Sequence, residues 1–100
     1  MAVEHRKLVT IVTEAALEHE IVGEIQQLGA TGYTISDARG KGGRGVRNAS
    51  WTQSANIRIE VVCQEAVADA IAAMLRTRYY DNYAMILFIG DVTVLRPGKF

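Results

Sequence analysis

Between Arg39 and Arg47 the chain reads Arg-Gly-Lys-Gly-Gly-Arg-Gly-Val-Arg, four cations interleaved with four glycines. Arginine presents a planar fork of permanently charged donors that matches phosphate or carboxylate. Glycine lets the backbone approach a ligand closely and expose its N–H groups. No Asp or Glu occurs from Ala38 to Ile59, so the segment carries no internal acidic partner. The chemistry on offer is anion recognition; the competing reading is a solvated hairpin tip charged for solubility. The spacing of glycines before Lys41 is not that of a Walker A loop, and no helix follows. A dinucleotide fingerprint is also excluded, because the strand-turn-helix context is missing.

Other residues with chemical potential are fewer. Trp51, in Asn48-Ala-Ser-Trp-Thr-Gln-Ser54, either folds back onto the protein or anchors a partner. Tyr79, Tyr80 and Tyr83 either cover a helix end or stack on a base. His5 and His19 lack a second metal-type ligand at fixed spacing, which makes them surface histidines. No Ser-His-Asp or Cys-His arrangement and no separated carboxylate pair supports catalysis. The single Cys63 cannot form an intrachain disulfide and, ending an apolar run, reads as a buried structural thiol.

The elements that must position these residues follow from periodicity. Lys7 to Thr13 is a short, β-branched run suited to a central strand. Glu14 to Leu28 carries Leu17, Ile21, Val22, Ile25 and Leu28 on one helical stripe, with Thr13 as cap and Gly29 as terminator. Gly32 to Asp37 reads as a second strand, followed by a loop over 38–55. Asn56 to Cys63 resumes strand alternation, and Glu65 to Tyr79 forms a second amphipathic helix with Val67, Ile71, Met74 and Leu75 inward. Met85 to Ile89 is a continuous apolar strand, and Val92 to Leu95 a short fifth one. The fold class is therefore α+β, a ferredoxin-like βαββαβ antiparallel sheet with two helices on one face and a short extra C-terminal strand. The loop is far longer than the usual two to five residues of a hairpin, which marks it as functional. In the usual strand order Met85 to Ile89 lies at a sheet edge, where assembly has to cover it.

Composition sets the outer limits. One hundred residues suit one compact domain spanning 1–100. The formal net charge is zero, which disfavours polyanion binding by the whole surface. Five of the eleven cations nevertheless fall in the acid-free window, so anion binding is local. No signal peptide and no apolar run of about 20 residues is visible, which reads as a soluble, cytoplasmic protein without membrane insertion.

Taken together, Gly32-Tyr-Thr34, Gly40-Lys-Gly-Gly-Arg-Gly-Val-Arg47, Ile57 to Val62 and Tyr79-Tyr-Asp-Asn-Tyr-Ala84 resemble the PII signalling superfamily over nearly the whole chain. The likeness is greatest to the PII-like regulators of inorganic-carbon uptake, the cyanobacterial SbtB type and the carboxysome-associated CPII type. The resemblance implies a homotrimer with an adenine-nucleotide site in each cleft between subunits. It implies that Tyr33, Thr34, Glu60 and Val62 surround the base, and that Gly40, Lys41 and Gly42, opening the T-loop, approach the phosphates. Arg44 and Arg47 match arginines that grip phosphate, and Tyr83, Ala84 and Met85 match the B-loop. Arg96 stands where a basic phosphate ligand comes from the neighbouring subunit.

Met85 departs from the phosphate-binding lysine of the nitrogen-sensing members, which favours AMP, ADP or cyclic AMP over ATP. The loop has no tyrosine for uridylylation; Ser50 and Ser54 remain as modifiable hydroxyls. The chain ends at Phe100 without the cysteine-bearing extension of the SbtB type. That ending points to the CPII type, where the resemblance implies bicarbonate as a second ligand. The implied partner, reached through the T-loop, is a bicarbonate transporter or a carboxysome component. An ATP/ADP-binding nitrogen or energy sensor is the alternative.

Two other classes share this fold. An acylphosphatase-like hydrolase needs a phosphate-cradling loop with Arg after the first strand, where this chain has Thr13-Glu-Ala-Ala16. An RNA-binding module stacks bases on strand aromatics, and Asn56 to Cys63 has none. A nucleic-acid partner and a metal are accordingly not expected.

Overall fold

The computed structural model describes residues 3–42, 45–46 and 56–99. Arg44, Arg47, Ser50, Trp51 and Ser54 lie outside the described residues, as does the rest of the 47–55 segment. The order is β1 (Glu4–Glu14), a 3-10 turn (Ala15–Leu17), α1 (Glu18–Gln27), β2 (Thr34–Ala38), β3 (Lys41–Gly42), β4 (Gly45–Val46), β5 (Asn56–Cys63), α2 (Glu65–Arg78) and β6 (Ile86–Val94). A 3-10 turn at Pro97–Lys99 follows. The expected βαββαβ antiparallel sheet is present, in the order β2-β5-β1-β6.

Register explains the two faces of the sheet. Side chains alternate along a strand, so paired residues share a face. Val9, Ile11 and Thr13 of β1 stand opposite Val61, Ile59 and Ile57 of β5. All six are buried, and the five apolar ones join one core with Leu17, Ile21 and Ile25 from the first helical segment. Ala68, Ile71 and Leu75 of α2 complete that core, so both helices cover the same face. Ile35 and Leu87 close the row Ile35–Ile59–Ile11–Leu87 at its two edges.

The other face carries no helix. Leu8, Val12 and Val62 are half-buried there, while Ile86 is 40% and Phe88 55% exposed. Leaving such side chains in water is unfavourable by roughly 25 cal/mol per Å² of apolar area. The expected edge position of the Met85–Ile89 run is borne out: β6 pairs only with β1 among the described strands.

Several local expectations are corrected. Val92 to Leu95 does not form a separate fifth strand; Val92–Val94 continues β6 through Gly90. The reason is β1, which starts at Glu4 rather than Lys7 and pairs Glu4–Leu8 with Gly90–Val94, overriding the local Gly-Asp turn signal. Thr13 does not cap a helix, because it lies in β1, fully buried, facing the core. A 3-10 turn intervenes, and neither helical start has a side-chain cap. The 38–55 loop contains a small ribbon, with Lys41 opposite Val46 and Gly42 opposite Gly45. Facing glycines leave that backbone pair uncrowded.

Gly29 ends α1 as expected, with φ of +113° and Val67 Cγ2 3.2 Å from where a Cβ would stand. Cys63 is buried, and burial pushes its thiol pKa up, as fits a structural thiol.

Ile59 is fully buried at the centre of the core row. Truncating Ile59→Ala should lower unfolding free energy by about 2–5 kcal/mol. Urea unfolding followed by far-UV circular dichroism at fixed protein concentration measures it.

Candidate functional site

The strand edge at β2 gathers four of the residues singled out above. Thr34 opens β2 and pairs with Glu60 of β5. Glu60 also stands opposite Thr10, which stands opposite Phe88, giving one row across the helix-free face. Val62 follows Glu60 by two residues on that face, and Tyr33, 42% exposed, immediately precedes Thr34. Because β2 begins at Thr34, it supplies no partner to β5 beyond Glu60. The backbone around Val62 therefore borders an open edge, next to a carboxylate, a hydroxyl and an aromatic ring. Such a corner offers donors, acceptors and a flat apolar surface to a heteroaromatic ligand.

Charge is arranged along β5. Arg58 Nη2 donates to Glu60 Oε2 at 2.6 Å, both side chains partly exposed on the helix-free face. Sequence reading counted Arg58 among the cations but gave it no place at the site. The signal was present, since opposite charges at i and i+2 of a strand share one face. Far along the sheet, Lys7 Nζ donates to Asp91 Oδ1 at 2.5 Å. That bond raises the Lys7 pKa and lowers that of Asp91.

The remaining predicted residues sit elsewhere. Gly40 and β3 lie past the far end of β2, where Ala38 pairs with Asn56. Thr34 and Gly40 are six residues apart, about 20 Å along an extended chain. Tyr83, Ala84 and Met85 precede β6, at the same end of the sheet as Ala38 but on the opposite edge. Three interstrand steps separate those edges, about 14 Å. Arg96 is exposed beyond the other end of β6. A single chain thus brings Tyr33, Thr34, Glu60 and Val62 together, and leaves the loop glycines, the 83–85 turn and Arg96 apart from them.

The 83–85 turn is firmly anchored. Tyr79 is 4% exposed, and its hydroxyl donates to Glu24 Oε1 at 2.5 Å. Arg78 Nη1 donates to the other oxygen of Glu24. The N–H groups of Asn82 and Tyr83 both donate to the Tyr79 carbonyl, and the Tyr79 and Tyr83 rings lie 5.7 Å apart. The tyrosine cluster therefore covers the end of α2 through Tyr79, while Tyr80 and Tyr83 remain exposed. Met85 packs against the core and is half-buried, so it offers an apolar thioether and no cation. Among the described residues no group of three or more His, Cys, Asp or Glu is placed to hold a metal ion. No described helix is long and apolar enough to cross a membrane.

Burial, then the hydrogen bond and charge of Glu24, raise the Tyr79 pKa well above its ordinary value near 10. In the unfolded chain this phenol ionises near pH 10 while the folded one stays neutral. Its contribution to stability is thus complete below about pH 10 and is lost as pH rises above it. Tyr79→Phe should cost about 0.5–1.5 kcal/mol at pH 7. Unfolding free energies from pH 8 to 11 should fall more steeply above pH 10 for the wild type than for that variant.

The nitrogen regulatory protein P-II family model matches residues 6–99. A PII-like signalling protein from Thermus thermophilus is 44% identical, with a TM-score of 0.85, covering 100% of this chain and 99% of its own. CPII, a nitrogen regulatory PII-like protein from Thiomonas intermedia K12 solved with ADP, AMP and bicarbonate, is 23% identical, with a TM-score of 0.87 over 99% of this chain and 96% of its own. GlnK of B. subtilis, solved with ATP, is 19% identical, with a TM-score of 0.63 over 88% of this chain and 82% of its own. With its sheet order, its long 38–55 connection and a match over nearly its full length, the chain belongs to the nitrogen regulatory protein P-II family.

Proposed function

We propose that this chain is a single-domain regulatory sensor, not an enzyme, that assembles as a homotrimer and binds an adenine nucleotide in each cleft between subunits. The observation that carries this reading is that one chain gathers Tyr33, Thr34, Glu60 and Val62 at one corner and leaves the 83–85 turn and Arg96 on the opposite edge of the same sheet. Tyr33, Thr34, Glu60 and Val62 form a corner for the base, with the edge backbone of β5 beside it. A neighbouring copy supplies Arg96, and the Gly40–Gly42 approach with Arg44 and Arg47 and the Tyr83–Met85 turn complete the site in the cleft between copies. The exposed Ile86 and Phe88 on the helix-free face give the copies an apolar reason to meet.

AMP, ADP or cyclic AMP is the effector, because Met85 packs inward and provides no charge for a third phosphate. Bicarbonate is a second ligand, a small oxyanion held by Arg47 and loop N–H groups. The Thiomonas protein, crystallised with ADP, AMP and bicarbonate, supports this choice. Ligand binding shifts the 38–55 loop toward one form by differential affinity for its conformations. That form engages a cytoplasmic face of a bicarbonate transporter or a carboxysome component.

Calorimetric titration with AMP, ADP, ATP and cyclic AMP, with and without bicarbonate, tests the ligand. Arg47→Ala should weaken the best nucleotide by about 1.5–3 kcal/mol, the loss of a charge-assisted phosphate pair. ATP binding more tightly than ADP would favour a nitrogen or energy sensor instead. Light scattering should give three chains for the wild type and a smaller species for Phe88→Glu. A wild-type monomer indifferent to every adenine nucleotide would sink the reading.

A further inference from the structure

Glu60 is the single acid on the helix-free face of β5, and its carboxylate is already half engaged. Arg58, two residues earlier, donates Nη2 to Oε2 at 2.6 Å, and among the described residues it is the only hydrogen-bond partner Glu60 has. The neighbours in register are Thr34 and Thr10 beside Glu60, and Ser36 and Val12 beside Arg58. None of these directly opposite residues carries charge; the nearest acid on that face of β1 is Glu14, one row on, opposite Asn56. Arg58 holds Oε2, which leaves Oε1 without a partner among the described residues. It also offsets a negative charge that would otherwise repel an anionic ligand. An ionised carboxylate only accepts hydrogen bonds. It favours a base edge carrying an amino group and disfavours one carrying a carbonyl.

We propose that Arg58 is a positioning residue that holds Glu60 as the base-reading acceptor, and thereby makes the site select a 6-aminopurine over a 6-oxopurine. This rests on the β2 corner being the nucleotide site proposed above. The role of Arg58 is orientation and charge balance, because an ion pair this exposed adds little to folding stability.

Titration with ADP and with inosine diphosphate, which differ at the 6-position, reads the effect on wild type, Arg58→Gln, Arg58→Lys, Glu60→Gln and the double glutamine variant. The wild type should prefer ADP by about tenfold or more. Arg58→Gln should lose about five- to tenfold in ADP affinity and most of the preference, with a smaller loss for inosine diphosphate from the uncovered Glu60 charge. Arg58→Lys, which keeps the charge, should recover part of both. The double variant should bind ADP no more weakly than the worse single variant, as expected when two residues act as one unit. Melting temperatures of the Arg58 variants should stay within about 2 °C of wild type. Arg58→Gln that keeps both ADP affinity and the ADP preference, or losses that simply add in the double variant, overturns the proposal while leaving the site intact. A wild type that binds no adenine nucleotide overturns the site and this proposal together. Should Arg58→Gln melt far below wild type, Arg58→Lys decides: a retained preference supports the proposal, and a lost preference with retained charge and stability overturns it.

Discussion

The pairing of β1 with β5 is the constraint on which everything else rests. These two central strands meet in a single register, Val9 to Val61, Ile11 to Ile59 and Thr13 to Ile57, all facing the helices. Parity then dictates the opposite face. Arg58, Glu60 and Val62 must point away from the core because Ile57, Ile59 and Val61 point into it. A slip by one residue would bury Arg58 and Glu60 and expose three isoleucine or valine side chains. The hydrophobic core thus fixes the orientation of the polar corner without touching it. Stability and site geometry have the same physical origin in this sheet.

That coupling has a cost on both faces. Thr10 and Thr13 are buried, and among the described residues their side-chain oxygens lack a hydrogen-bond partner, as does Oδ1 of the buried Asn56. Each such group opposes folding by about 1–3 kcal/mol when it goes unsatisfied. β-Branched threonine still suits a central strand through its methyl group and restricted χ1. Asn56 sits where β5 emerges from the long connection, opposite both Ala38 and Glu14. It closes the sheet at the end where the loop departs.

How much of this could be read from the residues depended on how local the cause was. The helical stripe of Leu17, Ile21 and Ile25 is a periodic signal, and those residues are buried as expected. β5 runs from Asn56 to Cys63, the bounds set by its alternation and by the polar stretch before it. The edge position of β6 followed from the usual strand order of a βαββαβ sheet. Where long-range pairing decided, local reading failed. Charged Glu4-His-Arg6 gave no strand signal, yet β6 is long enough to hold them in β1. For the same reason Gly90-Asp91 is strand and not turn. The clasp between Tyr79 and Glu24 joins residues 55 positions apart, and nothing in the local sequence announces it. Of the residues named together for the base, Thr34 pairs with Glu60, with Tyr33 and Val62 next along their strands. The Arg58–Glu60 bond was missed because it depends on rotamers, although the shared face was legible.

One last feature ties charge distribution to topology. The acid-free window spans β2's exit, the ribbon β3–β4 and the first half of β5, ending just before Glu60. Among the described residues Arg39 follows β2 and Arg58 lies on β5, while the acids of α1, Glu18, Glu20 and Glu24, ride on the helical layer. The two edges differ in length, β2 holding five residues and β6 nine. The assembly proposed above sets β2's corner on one copy against the β6 side of the next, and closure of such a head-to-tail contact yields a ring. In such a ring the exposed row of Ile86 and Phe88 would be covered by neighbouring copies.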